Sequence, residues 1–345
     1  MCVCSTKRTD DNIHSLTYIN AAFNGSYNGL THDKVQVTIK ALDDACRGDA
    51  WHYAQGACYT LKHGAGNNWA FGYITHAQQG LEETLNMVRK QVEACDWLSG
   101  FMPILSLSGG TGSGLGTKIT EALKDHFPQT PLVSVVVWPF TSGEVAVQTY
   151  NTLLSVSHLQ CASDAVLMMS NDDLYHIVTK RWSIRSTSLA QMNAVGAHQM
   201  AALFQPSRSK NGTMVQFGDV CSHLTCHPQL KLVTLRHVPQ EPAEAVPFSN
   251  HTWKALVASL RRMLLYQSTS DEDGPIGTAG LVFRGPSSPS EKLPSTSSSG
   301  PQVGKCRHRD RGRLKFRATR TKKHVCKQAH TLGSLRTTLL IMCAN

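Results

Sequence analysis

The chain has 345 residues, 41% of them hydrophobic, which is ample for a packed core and excludes a chain that is disordered throughout. Its formal net charge of +10 is lopsided: from Pro301 to Asn345 there are twelve Lys and Arg against one acid, Asp310, so residues 1–300, with 22 bases and 23 acids, sit at −1. A basic footprint on the globular part is thereby excluded, and nucleic acid is not an expected partner for it.

Residues 1–33 show little periodicity and read as an irregular start. From about Lys34 to Gln267, amphipathic segments alternate with glycine-containing loops, the first being Gly64-Ala65-Gly66-Asn67-Asn68-Trp69-Ala70. Leu81, Leu85, Val88 and Val92 recur at helical spacing and predict a helix that Gly100 closes. Phe101 to Leu107 is a short apolar run, expected as a buried strand, and Ser108-Gly109-Gly110-Thr111-Gly112-Ser113-Gly114 follows it. Ile119, Leu123 and Phe127 mark a second amphipathic helix, and Leu132 to Trp138 is apolar on both parities, as a strand covered on both faces would be. Strand, loop, helix, strand is a βαβ unit, so the expected fold is α/β with a parallel sheet that binds ligands at the carboxyl ends of its strands. Ser and Pro dominate 268–304, which reads as a linker, and 305–345 reads as a disordered basic tail.

The Ser108–Gly114 turn lies between a predicted strand and a predicted helix, where backbone N–H groups and the helix dipole converge on an anion. A β-carbon there would hold phosphate oxygens away from the backbone. The letters fit neither G-x-G-x-x-G in any register, nor the P-loop, since Thr117 precedes Lys118, nor a nucleophile elbow around Ser113. A phosphate cradle of another kind remains, with a flexible connector that binds nothing as the bland alternative.

SGGTGSGLGT resembles the signature loop of the tubulin family, with Ser108 in place of that pattern's first glycine, and Gly64 to Ala70 is similar to the family's other phosphate-side loop. The resemblance implies a tubulin-type GTP-binding domain over 34–205, with a parallel sheet and a central helix, followed by a partial second domain over 206–267. It implies that GTP, with magnesium, is held by Gly64, Ala65, Gly66, Asn67, Ser108, Gly109, Gly110, Thr111, Gly112, Ser113 and Gly114 at the phosphates. WPFTSGEVAVQTYNTLLSVSHL resembles the sugar-side loop and the helix after it, which puts Glu144 at the ribose; SNDDLYHI puts Asn171, and LAQMNAV puts Asn193, at the guanine. Leu189 stands where tubulins usually stack an aromatic ring on the base.

Asp219 falls where the alpha type carries a water-positioning acid for the nucleotide of a neighbouring subunit, although an Asp after Gly218 is also a common turn residue. FGDVCSHLTCHPQLKLVTLRHVP and HTWKALVASLRRML resemble delta-type sequences more than alpha or beta ones. That implies a cytoskeletal role in centriole, basal body and cilium assembly, with other tubulins or centriolar proteins as partners. Two other readings stay open: a tubulin fold that has lost its nucleotide and serves as an interaction protein, and a nucleic-acid binder acting through the basic tail.

The family's opening strand, its glutamine-and-cysteine phosphate loop and its acidic magnesium loop are not recognisable, so the expectation is a chain truncated at both ends. Cys221, His223, Cys226 and His227, and more loosely Cys306, His308, His324 and Cys326, match no zinc spacing, and no metal site is expected from them. Eleven scattered cysteines and the lack of a leader pattern point to a reduced, cytoplasmic protein, and no apolar run approaches the ~20 residues of a bilayer span.

Overall fold

The structure, a computed structural model, describes residues 2–6, 16–18, 59, 64–143, 145–204, 225, 231–242, 245, 248, 252–267, 276–284, 304–306 and 336–343. It divides into two compact units, Met1–Asp172 and Asp173–Asn345.

In the first unit, strands β1 (Cys2–Thr6) and β2 (Leu16–Tyr18) pair antiparallel, and β1 also runs antiparallel to β3 (Trp97–Met102). Both short strands lie in the stretch that read as irregular; runs of five and three residues are too brief for a periodicity test to detect. Helix α1 (Ala77–Glu93) continues a π-type turn at Phe71–His76 and buries Leu85 and Val88 as its spacing predicts. It stops at Glu93 rather than near Gly100. There Ala94 and Cys95 turn back to bond the Lys90 and Val92 carbonyls, and Gly100 lies inside β3.

The expected strand from Phe101 to Leu107 is two strands, β3 and β4 (Ile104–Ser106), broken at Pro103, which has no N–H to give a ladder. The Pro103 carbonyl still accepts from Val135 N at 2.8 Å. Helix α2 (Gly116–His126) follows a second π-type turn, Thr111–Leu115, and leads to β5 (Val133–Trp138). Residues 133 to 136 of β5 are fully buried on both parities, as the sequence predicts. Helix α3 (Gln148–Ala162) then crosses to β6 (Ala165–Ser170).

Strands β4, β5 and β6 are parallel, with Ile104 opposite Val135 and Val135 opposite Leu167. Two successive βαβ units therefore bring the carboxyl ends of all three strands, Ser106, Trp138 and Ser170, to one edge of the sheet. A core of Leu85, Val88, Phe101, Ile119, Leu123 and Leu132 fills the space between α1, α2 and β3, with the Phe101 and Phe127 rings 5.1 Å apart. At the amino ends, Lys124 Nζ lies 3.0 Å from Asp164 Oδ2, which also accepts from Leu132 N at 2.8 Å.

Helix α4 (Asn171–His176) spans the division between the units. In the second unit, helix α5 (Leu189–Phe204) opens with a reciprocal cap: Ser188 N donates to Gln191 Oε1 at 2.9 Å and Gln191 N to Ser188 Oγ at 3.3 Å. Its buried residues, Met192, Val195, Gly196, Gln199, Ala202 and Leu203, fall on one face. Strands β7 (Leu232–Val238) and β8 (Ile276–Arg284) each run parallel to β10 (Arg336–Cys343), and β9 (Gly304–Cys306) is antiparallel to β8. Helix α6 (Trp253–Gln267) buries Leu256 and Leu260. Strands β8 to β10 lie within segments that composition reads as linker and tail. Averaging over a long polar stretch hides apolar runs as short as GLVF and LLIM.

His237 of β7 is 3% exposed and its Nδ1 lies 3.0 Å from Gln199 Nε2, which makes Nδ1 the acceptor and keeps the ring neutral. Burial, with His198 and Arg236 adding to it, pushes its pKa down to about 3. Because the unfolded ring titrates near 6.5, the stability His237 contributes is complete above that pH and is lost as pH falls toward 3. Denaturant unfolding at about pH 7 and about pH 5 should differ by about 2 kcal/mol from this ring alone, and His237→Leu should remove that part of the difference.

Candidate functional site

Three connections leave the carboxyl ends of the parallel strands: 107–110 after β4, 139–147 after β5, and Asn171 directly after β6. The first carries the Ser108–Gly114 motif. Its second half is helical: Gly110 has αR dihedrals, and Gly114 N donates to Gly110 O at 2.7 Å. Thr111, Gly112 and Ser113 thus form a first helical turn, whose N–H groups are those a helix leaves without an acceptor of its own. Ser113 is fully buried and donates its hydroxyl to Gly109 O, while Ser106 Oγ and Ser108 Oγ lie 3.3 Å apart.

The upstream loop, 64–70, packs directly against this turn. Gly66 and Asn67 both take φ near +58°, and Asn68 N closes the turn on Ala65 O at 3.0 Å, the geometry of a type I′ turn. Gly66 meets the positive φ at no steric cost, and Asn is among the side chains that tolerate it best. Asn68 Oδ1 then accepts from Ala70 N and Phe71 N at 3.0 and 3.3 Å, capping the helix that begins there.

The glycines explain how closely the two segments approach. A β-carbon on Gly110 would lie 2.6 Å from both N and O of Asn68; one on Gly114 would strike Trp69 O; one on Gly72 would strike Gly110 O. Gly110 and Gly114 are therefore required by the neighbouring loop, a reason additional to the approach of phosphate that the sequence suggests. Gly64 and Gly66, by contrast, have nothing within 4 Å of a built β-carbon.

Polar contacts hold the pair together. Thr111 Oγ1 accepts from Ala65 N at 3.3 Å. Asn151, on the second turn of α3 and 3% exposed, donates Nδ2 to Asn67 O at 2.8 Å and to Ser108 O at 2.9 Å, and accepts from Trp69 N at 3.2 Å. Thr152 Oγ1 reaches Leu107 O at 3.4 Å. Sequence reasoning missed Asn151. Behind the loops, Trp69 stacks on Tyr73 with centroids 4.4 Å apart; the Tyr73 hydroxyl donates to Glu121 Oε2 at 2.6 Å, and His158 Nδ1 lies 2.6 Å from Glu121 Oε1. Burial, then the Glu121 carboxylate, raise the Tyr73 pKa above its ordinary 10, so the hydroxyl stays protonated and remains a donor.

The loop after β5 is tied to the start of α4: Thr141 N and Oγ1 both donate to Asp172 Oδ2, at 3.0 and 2.8 Å, and Gln148 Nε2 donates to Phe140 O at 2.9 Å. Asn171, half-buried, is the residue before that carboxylate. Asn193 is exposed on α5 in the second unit, and Leu189 there is 63% exposed. Glu144, Asp219 and the Cys221–His227 cluster lie outside the described residues.

Two interlocked glycine turns, one opening a helix at the carboxyl edge of a parallel sheet, suit an anion held by main-chain amides, and comparison with known proteins points the same way. Residues 31–179 match the Tubulin/FtsZ family, GTPase domain. The chain belongs to the tubulin family. Within it the chain is most like the delta type: it is 39% identical to the tubulin delta chain of Canis lupus familiaris and 38% to that of Homo sapiens, over 241 residues in each case, 69% of this chain and 53% of those. Against the tubulin beta-1 chain of Chondrus crispus it is 27% identical over 286 residues, 81% of this chain and 62% of the other. The chain spans about half the length of the delta relatives it matches.

The interlock predicts a contrast between glycines. Gly114→Ala should lower unfolding free energy by about 2–3 kcal/mol, since the new methyl meets backbone that cannot swing aside. Gly64→Ala, opening on free space, should stay within about 0.5 kcal/mol of the parent in the same denaturant titration.

Proposed function

We propose that this protein binds a guanine nucleotide, GTP, with its phosphates on the Ser108–Gly114 turn, as a tubulin-family component of the cytoskeleton. The observation that carries the reading is the helix start at Gly110–Ser113, packed against the 64–70 loop beside the carboxyl ends of β4 to β6. The residues present fit such a ligand. First-turn amides are donors suited to phosphate oxygens, and open space beside Gly64 and Gly66 leaves room on the loop that faces them.

In this reading Gly64, Ala65, Gly66, Asn67 and Ser108 to Gly114 hold the phosphates, and Asn171 offers its amide to the base. Glu144 at the ribose and Asn193 as the second base-reading amide enter through the sequence resemblance alone. Magnesium accompanies the nucleotide with no residue assigned to it. Asp219 would present a carboxylate to the nucleotide of a neighbouring subunit, orienting water for attack on the terminal phosphate. The limits 34–205 for the nucleotide domain and 206–267 for a partial second domain belong to the same proposal. So do other tubulins and centriolar proteins as partners and the part in centriole, basal body and cilium assembly, which rest on likeness to the delta type.

Millimolar GTP with magnesium should raise the melting temperature of the full chain by several degrees, since a ligand at about 100 times its Kd contributes about 2.7 kcal/mol. ATP should do less, and Gly112→Val should abolish the shift. Melting that GTP leaves unchanged would point instead to a tubulin fold that serves as an interaction protein without nucleotide.

A further inference from the structure

Asn151 uses its side-chain amide to join two loops and a helix. Both Nδ2 hydrogens go to carbonyls on different loops, Asn67 O at 2.8 Å and Ser108 O at 2.9 Å, while Oδ1 takes the Trp69 amide at 3.2 Å. The orientation of the amide is fixed by its partners, because only the nitrogen can satisfy two carbonyls and only the oxygen can satisfy an N–H. Asp would bring a carboxylate against two carbonyl oxygens, Leu would leave three backbone groups without partners, and Gln is one methylene too long for the same span. At 3% exposure, water cannot take over those bonds.

From this arrangement we infer that Asn151 is a positioning residue for phosphate recognition: it sets the spacing between the 64–70 loop and the Ser108–Gly114 turn without touching the ligand. The inference rests on the nucleotide reading above. Asn67 and Ser108, its two acceptors, each belong to one of the two segments proposed to hold phosphate, and α3, which carries it, begins directly after the 139–147 loop. A displacement of that loop would therefore pass through one turn of helix to both phosphate-side segments. Thr152 Oγ1, on Leu107 O at 3.4 Å, ties the same turn of α3 to the residue just before the motif.

The test compares Asn151→Ala, Asn151→Asp and the milder Asn151→Ser with the parent, each as the full chain, by competition of GTP and of guanosine against a fluorescent GTP analogue. Positioning predicts that GTP binds about tenfold or more weakly in the Ala and Asp variants, as expected when two buried hydrogen bonds are lost, while guanosine, which has no phosphates, changes less than about twofold. Unchanged GTP affinity in a folded variant, or equal losses for GTP and guanosine, overturns the inference. Hydrogen exchange on ligand-free Asn151→Ser gives a readout that needs neither nucleotide nor the harsher variants to fold. Faster exchange confined to 64–70 and 108–114 sustains the positioning role, and faster exchange spread through α3 and the parallel strands overturns it. Were the parent to bind no GTP, the reading of the site would fall, and this exchange pattern alone would decide whether Asn151 spaces the loops.

Discussion

Everything proposed for the site depends on the contact between two backbones. The 64–72 segment and the Ser108–Gly114 turn meet at Gly72, Gly110 and Gly114, where there is no room for a β-carbon on either side. Such an approach brings peptide groups close in a buried setting, where an unpaired N–H or C=O costs about 1–3 kcal/mol, so it persists only if the polar groups are matched. Thr111 and Asn151 supply that matching, with Asn151 alone pairing one N–H and two carbonyls.

The sheet supplies the direction. Parallel strands β4 to β6, with α2 and α3 as crossovers, leave their carboxyl ends at one edge, where a helix start with spare amides lies next to a turn in the left-handed region. Trp69, Tyr73, Glu121 and His158 brace the back of the upstream loop through ring stacking and two short hydrogen bonds. Under the proposed function, rigidity in such a place would serve phosphate binding, since donors held in position need no reorganisation when a ligand arrives.

Much of this was legible in the sequence, for reasons that can be named. Leu132 to Trp138 was readable because a strand covered on both faces is apolar on both parities, and residues 133 to 136 are buried accordingly. Leu81 to Val92 and Ile119 to Phe127 were readable because their helices bury one face only. The ends were less so. Gly100 looked like a stop for α1 and is a strand residue, while Pro103 divides a run that reads as continuous. The role of Asn151 was hidden for a deeper reason. The first turns of helix α3 are inverted: they bury Asn151, Thr152 and Ser155 and expose Tyr150, Leu153 and Leu154, while Leu159 and Ala162 are buried further along. A hydrophobic pattern assigns those turns the wrong inner face, because there the inner face serves the backbone of two loops, and it reaches the apolar core only at Leu159.

The central claim is that the amides of the Gly110–Ser113 turn grip phosphate, and it is most directly tested by determining the structure of the full chain with GTP bound. The account predicts phosphate oxygens within hydrogen-bonding distance of those amides, about 2.7–3.2 Å, with the Asn151 bridge intact behind them. A nucleotide seated elsewhere, with the turn unchanged and its amides directed into protein, would contradict it.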